Sequence, residues 1–296
     1  MRIISRFRPS GGSLDDSPAL LNRDSLPFVA AGRKLFGVAA IVATVMLDLG
    51  STVASAADMT MPTKAPQSAV YQWSGCYAGL NVGGGATGSN FRTGVDPGTY
   101  LLGADPATVA ATGSGSHGGD GLLAGGQVGC NLQSGLVVFG VESDFDYFHS
   151  NAFFENPTQT LSDGVTAFNV KQSLSTNYLA TVRPRIGIAA DRNLAYLTGG
   201  AAFTRASYME TYLDQATPAG FGTATGAKSL VGWVAGAGWE YAFIDHWTIK
   251  AEYLYASFSK INGLGAIVAP GVGANTLRGS GDVTVQLLRA GVNYRF

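Results

Sequence analysis

From Trp73 to the last residue, apolar side chains recur at every second position over eight separate stretches. A period of two places successive side chains on opposite faces of an extended chain, so each stretch predicts a strand. The stretches are Gly75–Gly84, Gly121–Leu132, Leu136–Phe148, Thr176–Ala190, Asn193–Tyr208, Leu230–Ala242, Trp247–Phe258 and Val283–Phe296. One face carries residues such as Cys76, Leu80 and Val82 in the first stretch and Phe139, Val141 and Phe145 in the third. The other face carries Tyr77, Gly79, Asn81 and Gly83 in the first stretch and Gly125, Gln127, Gly129 and Asn131 in the second. Later it is charged: Glu142, Asp144 and Asp146, then Arg183 and Arg185 beside Asn177 and Thr181, then Glu240, Lys250, Glu252, Arg289 and Arg295. Pro184 has no N–H to give a ladder, so a bulge or local gap is expected in the fourth strand.

The connections alternate in length. Gln133-Ser134-Gly135, Asp191-Arg192 and Phe243 to His246 are short; 85–120, 149–175, 209–229 and 259–282 are long. Short turns at one end and long loops at the other are the pattern of a barrel that crosses a membrane with its strands. Closure leaves no edge with unpaired backbone groups, which a hydrocarbon layer demands. The predicted fold class is therefore all-β: an eight-stranded antiparallel transmembrane β-barrel with short periplasmic turns and long extracellular loops. The first loop is the longest and richest in glycine, and is the expected place for mobility or partner contact.

Composition agrees with a lipid-facing wall. Charged residues make up 13% of the 296 and hydrophobic ones 46%, with 41 Gly, 12 Tyr and 15 Phe. Lys plus Arg (19) nearly balance Asp plus Glu (20), so no basic field points to nucleic acid. Upstream, Arg33-Lys34, the apolar run Leu35 to Leu47 and Ala54-Ser55-Ala56 follow the order of a secretory signal peptide. The expected organisation is 1–56 as N-terminal extension and signal, 57–72 as a periplasmic lead-in and 73–296 as the barrel.

Several stretches carry recognisable wording in order. They are Trp73-Ser74-Gly75-Cys76-Tyr77-Ala78-Gly79, Gly125-Gly126-Gln127-Val128-Gly129, Phe139-Gly140-Val141-Glu142-Ser143-Asp144-Phe145, Thr181-Val182-Arg183-Pro184-Arg185-Ile186-Gly187, Gly236-Ala237-Gly238-Trp239-Glu240-Tyr241-Ala242 and Lys250-Ala251-Glu252-Tyr253. The set resembles the porin-family outer-membrane β-barrel domain of alphaproteobacterial surface proteins, related to the OmpA-type barrel. That resemblance implies a monomeric eight-stranded barrel in the bacterial outer membrane. The alternate aromatics Tyr294 and Phe296 resemble the C-terminal assembly signal read by the barrel-assembly machinery.

Candidate chemistry is sparse. Cys76 opens the first strand and Cys130 closes the second at the same rim, both on the lipid-facing parity. A disulfide in the oxidising periplasm is expected, the alternative being two apolar thiols. The inward charges Glu142, Asp144, Arg183, Arg185, Glu240, Lys250, Glu252, Arg289 and Arg295 form either a packed ion-pair plug or a selective constriction. An eight-stranded interior has room for little beyond its side chains, which favours the plug. Trp73, Trp247, Tyr253 and Tyr255 are expected in interfacial girdles. The glycine pattern at Gly113 to Gly118 lies in a polar loop, not between a strand and a helix, so nucleotide binding is not expected. His117, His149 and His246 have no metal spacing. His149-Ser150 lacks a placed acid, so no enzyme and no cofactor are expected. The expected role is structural and surface-interacting, with outer-membrane lipid, lipopolysaccharide and an unidentified extracellular partner. A small-solute diffusion channel is the alternative.

Overall fold

The computed structural model describes residues 71–296. The predicted leader 1–56, and the lead-in up to residue 70, lie outside the described residues. Strand β1 (Gly75–Val95) is followed by helix α1 (Asp105–Thr112), β2 (Gly115–Ser134), β3 (Val137–Glu155) and the two-residue β4 (Gln159–Thr160). Then come β5 (Ala167–Ala190), β6 (Asn193–Asp214), β7 (Phe221–Ile244), β8 (Trp247–Ala269) and β9 (Gly273–Arg295). Eight long strands pair antiparallel in sequence order, with β4 a short addition beside β5. Pairing of β1 with β9 and of β3 with β5 closes the ring. No helix of the described residues is long and apolar enough to cross a membrane; the crossing is made by strands.

The long strands run to 19–24 residues, about twice the 9–11 that a tilted strand needs to span a bilayer. The segments expected as long loops are mostly the outward continuation of the strands. Only 96–114, 156–166, 215–220 and 270–272 connect them at that end. Outside the bilayer the wall faces water, so these stretches lose apolar alternation while keeping the ladder. The expectation of a mobile first loop meets a folded segment instead. Residues 99–101 are tied to β9: Thr99 N donates to Ala274 O at 3.0 Å, and Asn275 Oδ1 accepts from Leu101 N at 2.7 Å. Pro106, in the first turn of α1, suits a helix start because its missing N–H is not needed there. Val109 of α1 and Leu101 are buried against Val170, Tyr212, Ile267 and Leu277 from the strands, covering the outer mouth.

Sidedness follows the alternation. Leu80 (73% exposed), Leu122 and Ile188 face outward, while Glu142, Arg183 and Arg289 are buried inside. Two local breaks have sequence causes. At Pro184 the ladder to β6 is paired at Val182↔Ala201 and again at Arg185↔Thr198, with the register unchanged. This is the expected gap, and Thr198 Oγ1 donates to Pro184 O at 3.0 Å across it. A bulge between Thr176 and Leu179 brings Asn177 to the surface, reversing its expected inward placement.

Candidate functional site

The register makes the interior network. Glu142 of β3 lies directly opposite Arg183 of β5, Glu240 of β7 opposite Lys250 of β8, and Glu252 of β8 opposite Arg289 of β9. Directly opposed side chains on one face of a sheet are near neighbours, so each pair is local in space although distant in sequence. The curved wall then aims the pairs at one another. Arg183 donates from Nη2 to Glu142 Oε1 (2.8 Å) and Asp144 Oδ2 (2.7 Å), and from Nη1 to Glu252 Oε1 (3.0 Å). Arg289 donates from Nε to Glu252 Oε2 (2.8 Å), from Nη1 to Asp146 Oδ2 (2.6 Å) and from Nη2 to Asp144 Oδ2 (2.9 Å). Lys250 Nζ reaches Glu142 Oε1 at 2.8 Å, and Arg185 Nη1 reaches Glu240 Oε2 at 3.1 Å.

Neutral groups take up part of the remaining capacity, while Asp144 Oδ1, Asp146 Oδ1 and Arg185 Nη2 stay without a hydrogen-bond partner. Tyr77 donates to Glu142 Oε2 at 2.6 Å and Tyr196 to Glu252 Oε1 at 3.1 Å. The Arg185 guanidinium lies 4.8 Å from the Tyr77 ring centroid and 5.0 Å from that of Tyr196, a sandwich that shields a cation with few direct partners. Unpaired charges could not remain in this position, since each loses its hydration on burial.

Apolar layers lie on both sides of the network. Tyr71, Trp73, Val138, Ala189, Leu194 and Ala242 form a buried cluster with Tyr196. Trp73 is therefore not in a girdle, as expected from its residue type. It is 1% exposed and donates from Nε1 to Asp191 O at 3.2 Å, closing the periplasmic end from within. A larger cluster that includes Phe148, Leu179, Leu254 and Leu287 fills the next layer outward. Beyond it, and beyond the lipid-facing band, Glu210 is buried with Tyr208 donating to Oε2 at 2.8 Å and Gln172 donating to Oε1 at 3.2 Å. Burial pushes its carboxyl above the usual range, against the lowering effect of these donors.

Other expected residues are placed as follows. Cys76 and Cys130 are direct cross-strand partners, with Cα atoms 4.0 Å apart, and are joined by a disulfide. Arg295 is a correction: it shares the inward parity but lies at the rim, outside the network. Its guanidinium sits 4.3 Å from the Tyr71 ring centroid and donates to Gln72 O. The last turn places no carboxylate within its reach. His149 is exposed and Ser150 buried, so adjacent positions on a strand separate the two by the thickness of the wall. Trp247 packs edge-on to Tyr294 at 5.1 Å, and Tyr294 edge-on to Phe296 at 5.6 Å, all on the outer face. The network also contains Asp146, Tyr77 and Tyr196. Asp146 and Tyr77 were legible as inward parity; Tyr196 was not singled out.

A closed ring with an apolar outer face and a charged, largely ion-paired interior defines a membrane-spanning barrel. The outer membrane protein beta-barrel domain family matches residues 53–296, and the chain belongs to that family, in the bacterial outer membrane. Among curated relatives, it is 30% identical over 263 residues to a 31 kDa outer-membrane immunogenic protein of Brucella melitensis biotype 1. That match covers 83% of this chain and 95% of the relative. A 25 kDa outer-membrane immunogenic protein of Brucella abortus biovar 1 is 27% identical over 260 residues, covering 86% and 96%. Among solved structures, the outer membrane protein OprG from Pseudomonas aeruginosa covers 76% of this chain and 99% of its own at 12% identity. Its TM-score is 0.38, a likeness too loose to carry function.

Proposed function

We propose that the protein is a closed anchoring barrel whose outward-extended strands and their tips serve surface interaction, with no continuous path for solutes. One observation carries this reading: Arg183 and Arg289 bridge carboxylates from β3 and β8 across the lumen, beneath the apolar layer that includes Phe148 and Leu287. Ion pairs of 2.6 Å (Arg289–Asp146) and 3.0 Å (Arg183–Glu252) join strands that are not neighbours, which supports a plugged interior. The outer tips then offer the surface for an extracellular partner, while Tyr294 and Phe296 stand exposed on the outer face of the last strand, where an assembly factor could reach them.

The test is uptake of small sugars and amino acids into vesicles carrying the folded protein. Swelling at the rate of protein-free vesicles is the expected result. Size-dependent swelling would turn the reading to a small-solute channel.

A further inference from the structure

Towards the outer end of the wall, residues of β1, β9 and β8 line one outward-facing cleft of about 370 Å³. The register puts their side chains on one face. Arg92 of β1 lies opposite Ser280 of β9, and Ser280 lies opposite Asn262 of β8. Phe91 and Thr93, on either side of Arg92 in the chain, are buried on the lumen side, so Arg92 points out. The β8–β9 register slips between Phe258 and Ile261. Ile261 is 1% exposed, which turns its neighbour Lys260 outward, into the cleft that Asp282 also lines. Arg92 and Lys260 are both exposed and flank β9, two strand spacings or about 10 Å apart at the backbone. Side chains of that length can converge over Ser280.

The acceptors of the cleft are already engaged. Asp282 accepts from Asn90 N and Nδ2 at 2.9 Å each, and Asn90 Oδ1 accepts from Ser116 Oγ at 2.5 Å. Ser114 Oγ donates to Ala110 O at 2.7 Å. Among the described residues, the side chains of Arg92, Lys260 and Ser280 make no ion pair and no hydrogen bond, whereas the nearby Arg278 pairs with Asp96 at 2.7 Å. What remains free is a set of donors: a guanidinium fork, an ammonium and a hydroxyl. Such a set matches an oxyanion, which Arg can hold bidentately. Two cations against one carboxylate favour an anion by charge as well. Arg205 and Lys228 are also unpaired but line no part of the cleft.

Height and lining narrow the ligand. Arg92 is fourth from the outer end of β1, whose 21 residues are about twice the 9–11 that span a bilayer, so the cleft stands clear of the lipid headgroups. Phe91 borders the cleft but is buried, which leaves no apolar anchor of the kind that dominates a protein interface. A ligand with an oxyanion and an otherwise hydroxylated surface meets both conditions. We propose that Arg92, Lys260 and Ser280 form a binding site for an acidic glycan, held through a sulfate or carboxylate of one sugar unit. The site rests on the reading of the outer strands as an interaction surface, and it does not depend on whether the lumen conducts.

The experiment uses the whole protein in phosphatidylcholine vesicles at about 0.15 M salt. It reads the retention of labelled oligosaccharides of one length: sulfated, uronate-bearing and neutral. Wild type is expected to retain at least one of the acidic oligosaccharides over the neutral one, and the one retained identifies the anion. R92Q/K260Q is expected to bind it about tenfold more weakly, the scale of one lost charge-assisted hydrogen bond. R205Q/K228Q removes the same charge elsewhere on the wall and is expected to bind like wild type. Heat-modifiable migration on gels reports the folding of each variant. Should R92Q/K260Q fold poorly, K260Q alone is expected to weaken binding about threefold at unchanged migration. Equal weakening in both double variants would reduce the effect to net charge and overturn the site. So would retention of neither acidic oligosaccharide by wild type, equal retention of the neutral one, or equal binding by wild type and folded R92Q/K260Q. Equal retention of a phosphorylated peptide would overturn the glycan as the ligand. Solute-driven swelling of the same vesicles would overturn the closed barrel and leave the glycan result standing.

Discussion

Arg289 Nη2 donates to Asp144 Oδ2 at 2.9 Å, although their strands, β9 and β3, are separated by β1 and β2 on one side of the ring and by four long strands on the other. A contact of that length across a barrel is possible only where the lumen is no wider than two side chains. It also explains why so many glycines face inward beside the network. At Gly83, which pairs with Arg289, an added Cβ would meet the Arg289 Cα at 2.7 Å and Cβ at 2.8 Å. The absence of a side chain there lets the Arg289 strand and guanidinium come close.

Replacing Arg289 by Leu strands Asp144, Asp146 and Glu252 without one of their cations. Loss of one partner from a buried pair costs about 3–5 kcal/mol. Urea unfolding of the folded protein in vesicles is expected to show a loss of that size. A loss under about 1 kcal/mol would mean that the carboxylates are not held as a unit.

Gly83→Val crowds the same crossing. Overpacking of a filled interior costs about 1–3 kcal/mol, and the neighbouring backbone carbonyl of Leu288, nearer still, prevents an easy shift. The unfolding midpoint is expected to fall by that measure. The outward-facing Val82→Ala serves as the comparison, with a smaller effect.

Alkylation of the unreduced protein is expected to label no thiol, and reduction to reveal both Cys76 and Cys130. The bridge spans a sequence separation of 54, for which chain entropy assigns on the order of 4 kcal/mol. Cys76→Ala/Cys130→Ala is expected to lower stability by up to that amount. Two reactive thiols before reduction would contradict the bridge.

Glu210 gives the outer end a pH dependence. Burial raises its folded-state pKa above the unfolded one, so the folded protein holds the proton more tightly. Stability of that end is then greatest at acid pH and falls as pH rises past the ordinary carboxylate range of about 4.3. Amide exchange at Thr211 to Leu213 is expected to speed up from acid to neutral pH beyond the intrinsic chemical rate. In Glu210→Gln that excess is expected to vanish. An unchanged excess in the variant would assign it to another group.

The membrane-facing half was legible because lipid outside and charges inside force a strict alternation. Glu142, Arg183, Glu252 and Arg289 all read correctly from parity, and their pairing followed from register. Beyond the bilayer that contrast vanishes: Thr87, Ser89 and Thr93 are buried inside the wall, yet small polar residues also lie on its outer face. Strand continuation was therefore invisible there, and it resembled loop. Trp73 was misplaced because residue type outweighed position. It shares the odd parity of Tyr77, and that parity pointed inward. Arg295 shows the opposite limit, since inward parity at the rim gives no network when no carboxylate is in reach.

The closed lumen is tested most directly by single-channel recording from folded protein in a planar bilayer, with heat-modifiable migration of the same sample as proof of folding. The account predicts a silent bilayer for wild type. Steady unitary currents from folded wild-type protein would contradict it.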